Sequence, residues 1–527
     1  MAETLLGFHR LAARHDIELV QPLFTRSTLG STRRTERTDD QEHQVWPARY
    51  APFDDFRGHF EFGLKNERLN FEFLSRLFER LDPREVTAWV RDQPTGTYAR
   101  RTGFLYEWFT GRRLDLPDTA SNVGYVDAID ASRYLVCPRP ERIRRWRINN
   151  NLPGLPPFCP LVHLGRETER DWLYDVAAGV RNLDDTYGPE LLLRSAAWLT
   201  FKESRASFAI EHEADKHDRV KRFAAAIGEF SGRMTDPMAP DNLLRLQRAV
   251  LGDAALRQGV RHSPVFVGQN TPGTPIVHYI APPEAWVDDM LDALRAVETR
   301  THGASTVARA AAVSFAFVYL HPLTDGNGRI HRFLINHLLA ADKVVPATLV
   351  LPISATIAGS AKGRVEYDRV LEVFSRPFMQ RYGDAYRFGA ERTCPDGVTT
   401  NFTFLRSDDA RHAWRYPDLT AHARYLSAVL RQTVEQEMTG EAMLLRQLDD
   451  ARAAIKQWVE MPDPDADRII RSLKEANWRV SNKLRKSMPR LFDPEGDLYE
   501  RHQRIVDAVR AVFEDDRDEP SADDGRV

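Results

Sequence analysis

The chain has 527 residues, a net charge of -3, 42% hydrophobic and 28% charged residues. This is the balance of a soluble globular protein of several domains, which excludes a disordered chain and gives no reason to expect nucleic acid as a partner of the whole molecule. Its three cysteines, Cys137, Cys159 and Cys394, show neither a CxxC pair nor a zinc-ligand spacing, which argues against a disulfide framework and a structural zinc.

The opening MAETLLGFHRLAARHD has no basic stretch ahead of a long apolar run, so a cytoplasmic protein without a secretory signal is expected. Charged clusters, prolines and aromatics give the first residues a loop-rich pattern. LNFEFLSRLFERL and GFLYEWFTGRRLDLPD then carry apolar residues at helical spacing. Residues 1–160 are therefore predicted to be a helical N-terminal domain, closed by the Pro- and Asn-rich run 137–160. Long helical patterns return in residues 165–375, the predicted central domain. Within it, Pro264–Gly268 and Ile276–Ile280 flank the turn-forming NTPGTP and predict a β-hairpin. Val307–Leu320 is strongly apolar but contains Arg309 and Ser314, and it is shorter than the about 20 residues that cross a bilayer. It predicts a buried helix and no membrane partner. Residues 390–515 predict a helical C-terminal domain and 516–527 a solvated acidic tail. The expected fold class is all-α with a single β-hairpin.

The chemistry concentrates in His321-Pro-Leu-Thr-Asp-Gly-Asn-Gly-Arg-Ile-His-Arg332, between the apolar helix and a second apolar helical run. Pro322 keeps His321 out of the helical region, and Gly326 and Gly328 allow turns that aim successive N–H groups into one concavity. The positive end of the next helix faces the same place, and Arg329 and Arg332 share one helix face. Asp325 is a hard oxygen ligand of the kind Mg²⁺ prefers beside a polyphosphate. One short stretch thus supplies a base, a metal ligand, an anion nest and two cationic clamps. His331 and His337 have no nameable partner in the sequence and read as core histidines.

The stretch resembles the Fic-family motif HPFx(D/E)GNGRxxR and departs from it only at Leu323, where Phe is usual. The resemblance implies a helical fold and a protein adenylyltransferase that uses ATP as co-substrate and Mg²⁺ as cofactor. His321 would take the proton from a Ser, Thr or Tyr hydroxyl of a protein, or of the enzyme itself. Asp325 would hold the metal, Gly326, Asn327 and Gly328 would form the anion hole, and Arg329 and Arg332 would position the phosphates. The hairpin ahead of APPE resembles the family's flap, whose edge at Val265, Phe266 and Val267 could pair with a target segment. The alternative is a surface hairpin with no such role. Tyr367, in GRVEYDRVL, resembles a position bordering the adenine.

Ser207-Phe-Ala-Ile-Glu211-His212 is similar to the family's inhibitory motif (S/T)xxxE(G/N), whose Glu pairs with the second motif arginine. His212 departs from the usual Gly or Asn. Thr32 and Glu36 share the Ser/Thr–Glu spacing, and a solvated helix face is the plain alternative for 207–212. The resemblance also leaves removal of AMP open as a second role of Glu211. Two rival functions remain at this point. One is transfer of another nucleotide or phosphate group. The other is DNA binding through the basic run 466–490, although the acidic tail and overall charge favour a packing bundle there. Self-association is left open by the sequence.

Overall fold

Apolar residues on all sides of a helix demand burial all round, and Thr306–Leu320 meets that demand: every residue from Val307 to Phe317 is buried. In the computed structural model, which describes residues 3–38, 40–213, 215–252, 258–269 and 275–514, this helix packs between Asn327–Ala341 and Thr420–Gln432. Arg309 is accommodated by two carboxylates, with Nη1 3.0 Å from Asp342 Oδ2 and Nη2 against Glu298. Helix Glu284–Arg300 begins directly after Pro283 and buries Val287, Met290, Leu291, Leu294 and Val297, the one-sided spacing of a helix laid on a core.

The mostly helical expectation with a β-hairpin holds, and among the described residues three further small sheets join that hairpin. Ahead of the core, Leu5–Leu6, Thr25–Gly30, Glu42–Pro47 and Arg34–Arg37 form a four-stranded sheet in that order. Arg34–Arg37 is wholly exposed, so no apolar alternation marks it and only backbone pairing to Glu42–Pro47 makes it a strand. Val126–Asp127, Ile148–Asn150 and Glu141–Ile143 make a three-stranded sheet, and Tyr386–Thr393 with Thr399–Phe404 a second hairpin. Helices Phe56–Asn66, Phe71–Arg80, Pro83–Asp92 and Thr97–Thr110 enclose an aromatic core of Phe8, Phe60, Phe73, Phe78, Trp89 and Tyr106. Local signals start them: the Asn70 side chain accepts from Phe73 N at 2.8 Å, and Pro83 stands in the first turn after the capping Asp82.

The compact units do not part at 160–165 or 375–390. Among the described residues, one comprises residues up to 177 and 199–433, the other 178–198 and 434–514. A shared core crosses the Pro-rich run 137–160, where Trp146, Ile148, Leu152, Cys159 and Leu161 pack with the N-terminal helices and Tyr416. In the second unit, Ile455, Ile469, Ile470, Leu473, Leu484, Phe492, Ile505 and Val509 form the interior of a helical bundle. The basic run 466–490 therefore spends its apolar side chains on packing, and the helix after its turn, Asn482–Ser487, has six residues. The tail 516–527 and the hairpin tip 270–274 lie outside the described residues. Among the described residues no helix is long and apolar enough to cross a membrane, and the three cysteines are unpaired.

Candidate active site

His321 closes the helix Thr306–Leu320 in the left-handed conformation, φ 50 and ψ 58. Pro322 excludes the right-handed helical region, as expected, yet the backbone turns left-handed and not extended, a conformation that costs a non-glycine residue about 1–2 kcal/mol. That turn places Nδ1 3.2 Å from the carbonyl of Val318, so Nδ1 donates and Nε2 keeps the lone pair of a base. Burial, with the Arg261 guanidinium behind it, pushes the imidazole down to about 4 against the pull of the Val318 bond and Glu211. At neutral pH the ring is uncharged.

The loop that follows is built to present amides. Gly326, at φ 90, caps the helix Asn327–Ala341, whose first turn leaves N–H groups without helical partners. Asn327 is buried and clasps Leu323 in both directions: its Nδ2 donates to the Leu323 carbonyl at 2.8 Å and its Oδ1 accepts from Leu323 N at 3.1 Å. Its side chain thus shapes the loop and is spent on Leu323. Leu323 is fully buried and bridges to Val260, filling the place of the usual Phe. Gln247, which no sequence spacing marked, donates to the Asp325 carbonyl at 3.0 Å and accepts from Gly259 N at 2.7 Å. Asp325 is exposed, with Oδ1 accepting from Gly326 N at 2.6 Å and 3.2 Å from Arg329 Nη2.

Carboxylates occupy both arginines. Arg332, 1% exposed, donates from Nη2 to Glu211 Oε1 at 2.8 Å, from Nε to Ser207 Oγ at 2.9 Å and from Nη1 to Tyr367 OH at 3.3 Å. The Glu211 carboxyl is held below its usual range: burial pushes it up, but Arg332, with Arg329 and His321 behind it, outweighs burial. Its Oε1 also lies over the amide loop, since a Cβ on Gly328 would stand only 2.3 Å from it. An anionic oxygen therefore sits where a helix N-terminus attracts anions. Arg329 is paired with Glu213, a residue the motif comparison did not single out, and its guanidinium lies over Phe208 at 4.8 Å from the ring centre.

The end of helix Pro189–Ile210 explains how both carboxylates arrive. Glu213 N donates to Phe208 O at 2.9 Å and His212 N to Ala209 O at 3.2 Å, the paired bonds of a Schellman motif, with His212 left-handed at φ 59. This is why Gly or Asn suits position 212. The histidine does not keep the helix away from the site, but it carries the strain. Replacing it with glycine is expected to raise thermal stability by about 1 kcal/mol, read as a higher melting midpoint of the nucleotide-free protein. An unchanged or lower midpoint would contradict the strain.

The flap strands are Phe266–Gln269 and Ile276–Ile280, a two-stranded sheet with one free edge on Phe266–Gln269 among the described residues. Of the three expected docking residues, Val267 is exposed and Val265 accepts from Ala281 N at 3.1 Å. The Phe266 ring packs on Phe388 and Phe402 of the second hairpin, at 5.7 and 4.9 Å, so its side chain supports the flap from behind.

Residues 237–339 match the model of the Fic/DOC family. The chain carries a Fic domain. It is similar to the protein adenylyltransferase fic-1 of Caenorhabditis elegans, 29% identical over 33% of this chain and 32% of that protein. It is also similar to the fic-1 of Caenorhabditis briggsae, 33% identical over 27% of this chain and 25% of that one. The chain thus matches about a third and a quarter of the lengths of these relatives. A solved Fic family protein from Desulfovibrio desulfuricans aligns with 60% of the chain and 92% of its own length, at a TM-score of 0.36 and 17% identity.

The Fic domain match contains the flap and the whole 321–332 motif, while Ser207, Glu211 and Tyr367 lie outside it and join the site through Arg332. His331 is buried against Phe315 at 4.7 Å between ring centres, and His337 lies 3.2 Å from Gly232 N, so both serve the core. For the divalent cation that the family resemblance implies, the donor set is one exposed carboxylate beside an amide nest. This fits Mg²⁺ brought in with phosphate oxygens and water, and Asp325 is the residue that would hold it.

Proposed function

We propose that the Fic domain transfers AMP from ATP to a hydroxyl of a protein side chain, and that Glu211 and Glu213 together hold it inactive. The observation that carries this reading is a neutral His321 with a free Nε2 next to an amide nest that already holds a carboxylate. His321 Nε2 accepts the hydroxyl proton as the hydroxyl oxygen bonds to the α-phosphorus; the bond from that phosphorus to the bridging oxygen breaks, and pyrophosphate leaves. The amides from Gly326 to Arg329 receive the charge that grows on the phosphoryl oxygens. Arg329 and Arg332 orient the β- and γ-phosphates once the two carboxylates have withdrawn. Asp325 would hold Mg²⁺, which when bound would neutralise phosphate charge. Val267 and the free edge of its strand support strand pairing with the target. Self-modification follows if a hydroxyl of a second copy enters the same edge.

The donor is tested by intact mass. The Glu211→Gly variant incubated with ATP, UTP or CTP is expected to gain mass equal to one adenylyl group, and with ATP alone. A uridylyl or cytidylyl gain of equal extent would replace the ATP reading with a broader nucleotidyl transferase.

A further inference from the structure

Arg261 is 1% exposed and, among the described residues, has no ion pair; its contacts are four backbone carbonyls. Nε donates to His321 O at 2.6 Å, Nη2 to Leu320 O at 3.2 Å and to Pro282 O at 2.7 Å, and Nη1 to Ser263 O at 2.9 Å. An interior cation without a carboxylate costs several kcal/mol unless its donors are satisfied. These four carbonyls are not a random set. Leu320 and His321 end the helix that presents the base, and the left-handed turn leaves their carbonyls without helical partners. Ser263 enters the flap and Pro282 leaves it. The backbone adds to the same junction, with Arg261 N donating to Pro322 O at 2.9 Å and Val260 bridged to Leu323.

We propose that Arg261 is a positioning residue that locks the flap to the His321 corner and so fixes the distance between a flap-bound hydroxyl and the imidazole. A lysine cannot do this, because three donors on one ammonium cannot span four carbonyls set around a planar fork. The cation also acts electrostatically on the ring. Arg261 from the flap entrance and Glu211 from the helix end are the charged groups acting on His321, one favouring the neutral and the other the charged form. The phosphate-binding parts, Gly326, Gly328, Arg329 and Arg332, make no bond to Arg261 in this arrangement.

The role rests on the adenylyl-transfer reading for its purpose, but its test does not need transfer. Arg261→Lys and Arg261→Met are made in the Glu211→Gly protein, and His321 is followed by NMR titration of labelled histidine, alongside ATP affinity and single-turnover transfer. In Arg261→Met the His321 midpoint is expected to move up toward the ordinary histidine value. ATP affinity should stay within about twofold and transfer fall by about 10–100-fold, the penalty for a displaced reacting group. Arg261→Lys should restore the titration in part without restoring the rate. Three results overturn the proposal: an unmoved titration with an unchanged rate, a loss of ATP affinity that matches the loss of rate, or failure of both variants to fold. The last would make Arg261 a residue of the fold alone. A moved titration together with no transfer by the Arg261-containing parent would instead sink the transferase reading and leave the junction intact.

Discussion

Asparagine in place of His321 is expected to lower adenylyl transfer by about 10²–10⁴-fold, the usual contribution of a positioned general base. Asparagine tolerates the left-handed turn at φ 50 that this corner requires, so the fold and ATP affinity should be kept and the loss read as chemistry. A pH profile sharpens the expectation. The imidazole is held at about 4, mainly by burial and then by Arg261, so the base is already deprotonated at neutral pH. Single-turnover rates should be flat from pH 8 to about 5 and fall tenfold per pH unit only below the depressed value. An imidazole at its ordinary value would show the fall near pH 6.5. Removing Glu211, which favours the charged ring, should move the acid limb lower still. A limb near 6.5 in the Glu211→Gly protein would mean that His321 is solvated in the working state.

The second large effect is release of the arginines. Arg332 is buried and bonded to Glu211, and Arg329 to Glu213, so neither guanidinium is open to phosphate in this arrangement. A hydrogen bond to a charged group contributes about 1.5–3 kcal/mol, which sets the gain for ATP at roughly 10–100-fold per carboxylate removed. Both carboxylates are about one-third exposed, so solvent screening places the effect toward the lower end. Glu211→Gln and Glu213→Gln should each tighten ATP binding, and the double variant should exceed either. The nucleotide-free variants should melt lower than the parent, because buried Arg332 loses its carboxylate and Arg329 keeps only Asp325, and should recover most of that loss with ATP and Mg²⁺. Equal ATP affinity in all four proteins, measured by calorimetry, would remove the two-carboxylate brake.

The parts of the site that were legible in the sequence are those written contiguously. Twelve residues from His321 to Arg332 carry the proposed base, nest and clamps, and a Schellman helix end keeps Ser207, Glu211 and a left-handed residue at fixed spacing. What escaped is non-local. Arg261 reaches four carbonyls from 2 to 60 positions away, Gln247 holds Asp325 from 78 positions away, and Glu213 finds Arg329 across 116. No periodicity encodes such pairs. The N-terminal sheet was hidden for a different reason: its exposed edge strand has no apolar face, and pairing of the backbone is independent of side-chain pattern. Composition marks Pro-rich segments as linkers, whereas residues 146–161 are packed into a core.

The central claim is tested most directly by incubating the protein with Mg²⁺ and ATP labelled at the α or at the γ phosphate, comparing wild type, Glu211→Gly, and Glu211→Gly with His321→Ala. Acceptors are the protein itself and a lysate supplied as a source of targets. Transfer of the α label, raised by Glu211→Gly and lost with His321→Ala, is the predicted result. Transfer of the γ label without the α label, or α-label transfer that survives loss of His321, would contradict it.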